Sequence, residues 1–275
     1  MTTAIVPLSS DCKSHDTYVK NTNDIYCEVA RATFSHLCTP NLTFANCDYK
    51  ELLANMQKQG MQVDCILTDP PYNISRKNNF TTMGRAGIDF GKWDYGFDQS
   101  EWIKQCVPLL KNGGSCIIFN DWKNLSYLVE ALESSGCVIK DLLRWEKSNP
   151  MPRNVNARYV IDFECAIWAV KGKKRWVFNK PENISYLKGV FKAPVITGGG
   201  NRRLHPTQKS LKVFEDILHI HTNENNLVFD PFSGSATTAI ACLNLNRKFI
   251  GCEINKDYYQ KAHNRIAITL QKGRK

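Results

Sequence analysis

The chain has 275 residues, enough to bury the core of one large α/β domain, with or without a small insert. No run approaches the roughly 18 consecutive apolar residues of a membrane helix, and Met1 to Ser10 lack the basic start and apolar stretch of a secretory signal. Eleven cysteines without a C-x-x-C spacing argue against a disulfide framework or a zinc site, so a reduced, cytoplasmic, metal-free protein is expected, while a net charge of +10 points to a polyanion, most commonly nucleic acid.

Residues 1–40 read as an N-terminal extension packed on the domain, with a helix over Asn23–Leu37. Leu42–Asn46 reads as a strand, followed by a helix from Tyr49 to Gln59. Asp48 stands between them, an N-cap position that also suits an acceptor for a ligand's adenine amino group. Val63–Thr68 is short, apolar and β-branched, the signature of a buried strand. Asp69-Pro70-Pro71-Tyr72 stops it, because neither proline can donate to a ladder and each fixes its own φ. The corner presents a carboxylate, a carbonyl and an aromatic ring at the carboxyl end of a strand, where open α/β sheets bind ligands.

A polar stretch from Asn73 to Gln99 follows, long enough to be functional. Its Arg76, Lys77, Arg85 and Lys92 are interleaved with aromatic residues, which suits phosphates and unstacked bases. A lid that touches no nucleic acid is the alternative. A helix over Ser100–Leu110, a turn at Lys111–Gly114, a strand over Ser115–Phe119 and a helix over Asn124–Ser134 come next. Strands over Val138–Glu146 and Tyr159–Val170 flank a proline-stiffened loop carrying Arg153. Strands separated by helices indicate crossover units and a mainly parallel sheet.

The pattern then breaks. Lys171–Leu204 is the most basic segment, with Lys173, Lys174, Arg175, Arg202 and Arg203, and reads as a small DNA-reading insert or as a solvated charged excursion. His205–Lys209 precedes an amphipathic helix running to Thr222. A strand at Leu227–Phe229 leads into the small-residue turn Asp230–Thr238, then a helix to Leu245, a strand over Lys248–Glu253 and a final helix from Lys256. Gly234 allows close approach to the backbone, and the helix start favours an anionic group such as a carboxylate. Glu253 lies at the distance where nucleotide-binding units place an acid on ribose hydroxyls. The pyrophosphate patterns G-x-G-x-x-G and Gly-Lys-Ser/Thr are absent.

These pieces resemble the β-group of DNA amino-methyltransferases over most of residues 41–260. Asp69–Tyr72 resembles that family's catalytic motif and Asp230–Ala236 its D-P-F-x-G-x-G, with Ala236 in place of the last glycine. His205–Lys209 resembles its H-P-T-Q-K, and Arg144–Lys147 and Glu164–Ala169 two intervening strands. The resemblance implies a Rossmann-like α/β methyltransferase fold with helices on both faces of a mainly parallel mixed sheet and a circularly permuted motif order. The strand before Asp48 then lies beside the one ending at Glu253, with both chain ends on one side. It further implies a catalytic half at 41–170, a target-recognition insert at 171–204 and a cofactor half at 205–275.

The cofactor implied is S-adenosyl-L-methionine, held by Asp48, Asp69, Thr207, Gln208, Lys209, Asp230, Phe232, Gly234, Ser235, Ala236, Thr237 and Glu253. Catalysis falls to Asp69, Pro70 and Tyr72, with DNA contacts from Arg76, Lys77, Arg85, Lys92, Arg153, Lys173, Lys174, Arg175, Arg202 and Arg203. The activity implied is methylation of adenine N6 in a short DNA site by base flipping, since Asp in the first motif position favours adenine. Cytosine-N4 methylation and an inactive DNA-binding subunit of a restriction-modification system are the rivals. Duplex DNA is the expected partner; single strands, a homodimer and a separately acting restriction endonuclease remain open.

Overall fold

A computed structural model describes residues 36–74, 94, 96–152, 155–196 and 207–272. Nine strands form one sheet among them: β1 (His36–Thr39), β2 (Leu42–Ala45), β3 (Val63–Thr68), β4 (Leu110–Asn120), β5 (Cys137–Lys147), β6 (Phe163–Lys171), β7 (Val190–Ala193), β8 (Leu227–Asp230) and β9 (Lys248–Cys252). Their order is β1-β2-β9-β8-β3-β4-β6-β5-β7. The run from β2 to β4 is parallel throughout, as is β5 with β7, while β1 and β6 pair antiparallel with their neighbours.

The central strands are apolar on both faces because helices cover both. Alternation along each strand sends Ile66, Cys116, Ile118 and Phe229 to one face, against α1 (Tyr49–Lys58), α2 (Gln99–Cys106) and α3 (Leu125–Ser134). Cys65, Leu67, Ile117, Phe119 and Val228 go to the other, against α4 (Leu211–His221), α5 (Thr237–Asn244) and α6 (Lys256–Lys272). Asp48 caps α1 by accepting from Lys50 N at 2.8 Å, and Asp98 caps α2 by accepting from Ser100 N and Glu101 N.

The permuted order holds for the strands, since β2 lies parallel beside β9. The expected helix over Asn23–Leu37 and the position of the chain ends fall largely outside the described residues, though His36 and Leu37 belong to β1. The α2 helix is shorter than expected. Pro108 forces a 3₁₀ turn at Val107–Leu109. The residues expected as a turn, Lys111–Gly114, instead lie within β4 at a register shift against β3. Within the basic segment, Val190–Ala193 forms β7, burying Phe191 and Ala193 and leaving Lys192 exposed.

Cys38 is half-buried on β1. The remaining described cysteines are free and buried, where a thiol behaves as a small apolar group. No helix among the described residues is long and apolar enough to cross a membrane.

Candidate active site

The carboxyl ends of β3, β4, β8 and β9 open into one cleft of about 1300 Å³. Two chain corners, at the ends of the adjacent strands β3 and β8, form parts of its wall, and each is built differently.

The first is Asp69–Tyr72. A buried carboxylate, Asp94, holds its backbone by accepting from the amides of Tyr72, Asn73 and Ile74 at 2.7, 2.8 and 3.0 Å. Asn73 takes a left-handed conformation (φ 57°) to let the chain reverse. Gln99 donates to the Pro71 carbonyl and Asn124 to that of Tyr72 at 2.7 Å. Every carbonyl and amide so tied is a degree of freedom removed from the corner. Tyr72 itself donates its hydroxyl to Asp69 Oδ1.

The second is Asp230–Ala236. Asp230 is buried and accepts from Thr68 Oγ1 at 2.7 Å, Thr238 Oγ1 at 2.5 Å and Phe232 N at 3.2 Å. Burial nevertheless pushes its carboxyl up to about 6, against those donors. Gly234 has φ 51° and donates its amide to Glu253 Oε2 at 2.9 Å, while Asn255 N donates to Oε1 at 2.8 Å. Burial raises Glu253 to about 7 despite the two amides. Gly251 lets the turn approach β9, since a Cβ there would lie 2.6 Å from both Asp230 O and Ser233 Oγ. Arg265 on α6 donates to Ser235 O at 2.8 Å and Thr237 Oγ1 at 3.1 Å from behind. Phe232 projects among Tyr49, Phe97 and Trp102, 5.2–5.3 Å between ring centroids.

Ala236 adopts φ 58°, ψ 37°, the left-handed region, and starts α5 without a side-chain cap. The residue type expected there by resemblance is glycine for this physical reason.

A largely buried row of charges runs from the first corner to β6 and β5. Lys209 Nζ lies 2.9 Å from Asp69 Oδ1 and 2.7 Å from Glu164 Oε2, and Lys147 Nζ lies 2.9 Å from Glu164 Oε1. The Lys209 side chain is 5% exposed and its ammonium sits 4.9 Å from the Tyr72 ring centroid. Burial disfavours ionisation of Glu164, but the two lysines overcome it and hold the carboxyl down to about 2. Asp69 moves the other way: burial raises it, with Lys209 and the Tyr72 hydroxyl opposing.

Of the residues expected to act, Asp69, Pro70 and Tyr72 line the cleft together with Asp48, Thr207, Gln208 and Lys209. Asp230, Phe232, Gly234, Ser235, Thr237 and Glu253 line it too. Ala236 is fully buried beneath it. Lys209, grouped with the cofactor residues on sequence, makes its ion pairs with Asp69 and Glu164.

The basic residues are placed differently. Lys173, Lys174 and Arg175 are exposed, but Lys174 N bonds Asn112 Oδ1 and Arg175 lies over Gly113, at the start of β4. The cleft is at the other end of that strand, so these three do not flank it. Charge composition marks basic residues without saying which end of a sheet they reach. Arg76, Lys77, Arg85, Lys92, Arg153, Arg202 and Arg203 lie outside the described residues. Asp94 and Arg265 carried no sequence signal, being single charged residues in unremarkable surroundings, and Lys147 was marked only as part of the Arg144–Lys147 strand. Arg158 and Tyr159 at the cleft rim were equally unmarked.

A model of the DNA methylase family matches residues 63–264. Among curated relatives, the type II methyltransferase M2.LlaDCHI of Lactococcus lactis subsp. cremoris is 31% identical over 243 residues, covering 82% of this chain and 89% of that protein. The type II methyltransferase M2.DpnII of Streptococcus pneumoniae is 31% identical over 236 residues, 80% of this chain and 87% of its own. The structure of the M1.HpyAVI–SAM complex superposes with a TM-score of 0.68 at 41% identity, covering 82% of this chain and 98% of that one. PvuII DNA methyltransferase, cytosine-N4-specific, shares the fold (TM-score 0.62, 18% identity, 84% of this chain and 92% of that one). The chain therefore belongs to the N6/N4 DNA methylase family, as an S-adenosylmethionine-dependent DNA methyltransferase.

Proposed function

We propose that the protein methylates the N6 amino group of adenine within a short duplex DNA sequence in the cytoplasm, acting on a base turned out of the helix. The observation that carries this reading is the shared cleft: Asp69 and the Gly234 turn line the same cavity. Its volume exceeds what one small ligand needs, and a cofactor and an extruded base fit side by side.

The residues present suit S-adenosylmethionine. Glu253 offers a carboxylate to ribose hydroxyls, Asp48 an acceptor to an adenine amino group, and the start of α5 a positive dipole end to a carboxylate. When bound, the cofactor supplies an electrophilic methyl group on sulfur. Asp69 and the Pro70 carbonyl accept the two amino hydrogens of the target base, which draws the nitrogen lone pair out of the ring. The Tyr72 ring contacts the base face, a type of contact worth roughly 1–3 kcal/mol. As positive charge develops on the nitrogen, the Asp69 carboxylate stabilises it and then takes the proton. The Asp94 clamp keeps the corner in place, so little reorganisation accompanies the reaction. Arg158 and Tyr159 at the cleft rim supply a cation and an exposed ring for the DNA strand around the flipped base.

The test is to incubate duplex DNA with methyl-labelled cofactor, digest it and identify the modified nucleoside by mass spectrometry. N6-methyladenine is expected, and its absence from Asp69→Ala reactions that still bind cofactor. N4-methylcytosine would overturn the choice of base, and full turnover by Asp69→Ala the choice of residue.

A further inference from the structure

We propose that Lys209 and Glu164 are positioning residues that set the orientation and charge of the Asp69 carboxylate, Glu164 acting by drawing part of the Lys209 charge away from it. The inference deepens the reading of Asp69 as the acceptor of the substrate amino group, and rests on it.

The geometry divides the two Asp69 oxygens. Both the Tyr72 hydroxyl and Lys209 Nζ engage Oδ1. Among the described residues Oδ2 carries no hydrogen bond, so the carboxylate is pinned by one oxygen and presents the other. A carboxylate held this way needs no reorientation when the base arrives.

Lys209 is shared unequally. It stands 2.7 Å from Glu164 and 2.9 Å from Asp69, and Glu164 is itself held by Lys147. A lone lysine against Asp69 would lower its basicity and its hold on a positively charging nitrogen. No lysine would leave a buried carboxyl to take up a proton before the reaction. The alternating row of four charges sits between those extremes. It also brings together residues from the loop after β3, the segment before α4, and strands β6 and β5, so it is not local chain geometry.

Among the described residues, the charged and titratable groups facing this carboxylate are few. They are Tyr72 on its own corner, Lys209 ahead of α4, Glu164 with Lys147 behind it, Asp121 after β4 and Asp230 at the end of β8. Two lysines hold the Glu164 carboxyl down while burial raises that of Asp69, so Asp69 is the carboxylate of the row that takes up a proton first as pH falls.

The experiment is single-turnover methyl transfer to duplex DNA from pH 5 to 9, at saturating cofactor, for the wild type and four variants. Lys209→Met should move the acid limb up by roughly one pH unit or more, the effect of removing an opposite charge in contact. Its plateau rate should also fall by roughly ten- to a hundredfold from lost orientation. Glu164→Gln should move the limb down, because Lys209 then pairs with Asp69 alone. Lys147→Met should move it up, because Glu164 then competes harder for Lys209. Cofactor affinity, read by equilibrium binding, should stay within about twofold for Glu164→Gln and Lys147→Met, since neither residue touches Glu253 or the Gly234 turn.

Opposite shifts from Glu164→Gln and Lys147→Met support the proposal even if Lys209→Met does not fold. Limbs that stay in place, or move the same way in both, overturn it. Asp69→Ala, the fourth variant, separates the two readings. If it still transfers methyl groups, the role of Asp69 falls. If it is inactive while the other limbs stay fixed, only the role of the charge row falls.

Discussion

Thr68 and Asp230, 162 positions apart, meet in a 2.7 Å hydrogen bond from the threonine hydroxyl to the buried carboxylate. Thr68 is the residue before the Asp69 corner, and Asp230 opens the turn that carries Gly234. One side-chain contact between adjacent parallel strands thus couples the position of the Asp69 corner to that of the Gly234 turn. The strand pairing places them roughly, Cys65 opposite Val228 and Ile66 opposite Phe229, and the hydrogen bond completes the alignment at the strand ends.

Replacing Thr68 by valine keeps the shape and removes the donor. Asp230 then keeps Thr238 and the Phe232 amide but loses one of three donors in a buried site. The expected cost is about 1–3 kcal/mol of stability, seen as a lower midpoint in thermal unfolding. Cofactor affinity should weaken with it, because the turn is no longer registered on β3. An unchanged melting curve with unchanged affinity would show that strand pairing alone sets the alignment.

Glu253 gives the protein a pH dependence with a defined sign. Burial raises its carboxyl from the ordinary glutamate range to about 7 in the ligand-free protein. The folded state therefore holds a proton that the unfolded chain gives up between roughly pH 4.5 and 7. Stability of the free protein falls as pH rises through that window and levels off above it. Asp230, raised to about 6, adds to the loss with the same sign over a lower range. With Glu253 holding the ribose as proposed, cofactor binding should run the other way, since an ionised carboxylate is the better acceptor for hydroxyls. Affinity should rise through pH 7, with proton release in calorimetry across buffers of different ionisation enthalpy. Glu253→Gln should stabilise the free protein above pH 7 while weakening cofactor binding. A flat affinity profile between pH 6 and 8 would remove Glu253 from the cofactor site.

Ala236 lies in the left-handed region, where an L-residue costs roughly 1–2 kcal/mol that glycine avoids. Its buried methyl returns about 0.8 kcal/mol, and glycine would lose about 0.5–1 kcal/mol in chain entropy. These oppose one another closely, so Ala236→Gly should change stability by less than about 1 kcal/mol and leave cofactor affinity intact. Valine is the contrasting test. A β-branched side chain at this φ, in a fully buried site, adds backbone strain to overpacking, each of roughly 1–3 kcal/mol. Ala236→Val should fold poorly and bind cofactor weakly. A destabilised glycine variant beside a tolerated valine would show that the packing of the methyl, not the backbone, dominates here.

The parts of this molecule that could be read from the chain are those whose causes are local. β3, β8 and β9 are short apolar runs closed by Pro, Gly or a polar residue, and the Asp69 corner follows from two adjacent prolines. β7 could not be read, because four residues among lysines give too short an alternation, and its partner β5 lies more than forty positions earlier. The charge row depends on sheet order. Glu164 reaches Lys209 because β6 turns back antiparallel beside β4; both residues lie in segments the resemblance marks, but nothing in either segment announces that they pair. The exposed Lys173–Arg175 show the converse, a strong compositional signal whose location depends on the direction of the preceding strand.

Asp94 is the clearest case of a site residue visible only in three dimensions, and it yields a direct test. Its carboxylate is buried and accepts three consecutive backbone amides, those of Tyr72, Asn73 and Ile74. Three donors converging on one anion is how a loop anchors a neighbouring turn without regular secondary structure. Asp94→Ala leaves those amides without their acceptor and frees the corner that carries Pro70 and Tyr72. The Glu253 side of the cleft is built from other strands, so cofactor affinity should stay within a few-fold of wild type. The transfer rate should fall by roughly a hundredfold, the scale of a misplacement near 1 Å at reacting atoms. Asp94→Asn, which keeps one acceptor oxygen, should recover part of the rate. If both variants lose cofactor binding as steeply as they lose transfer, Asp94 supports the whole cleft and not the Asp69 corner alone.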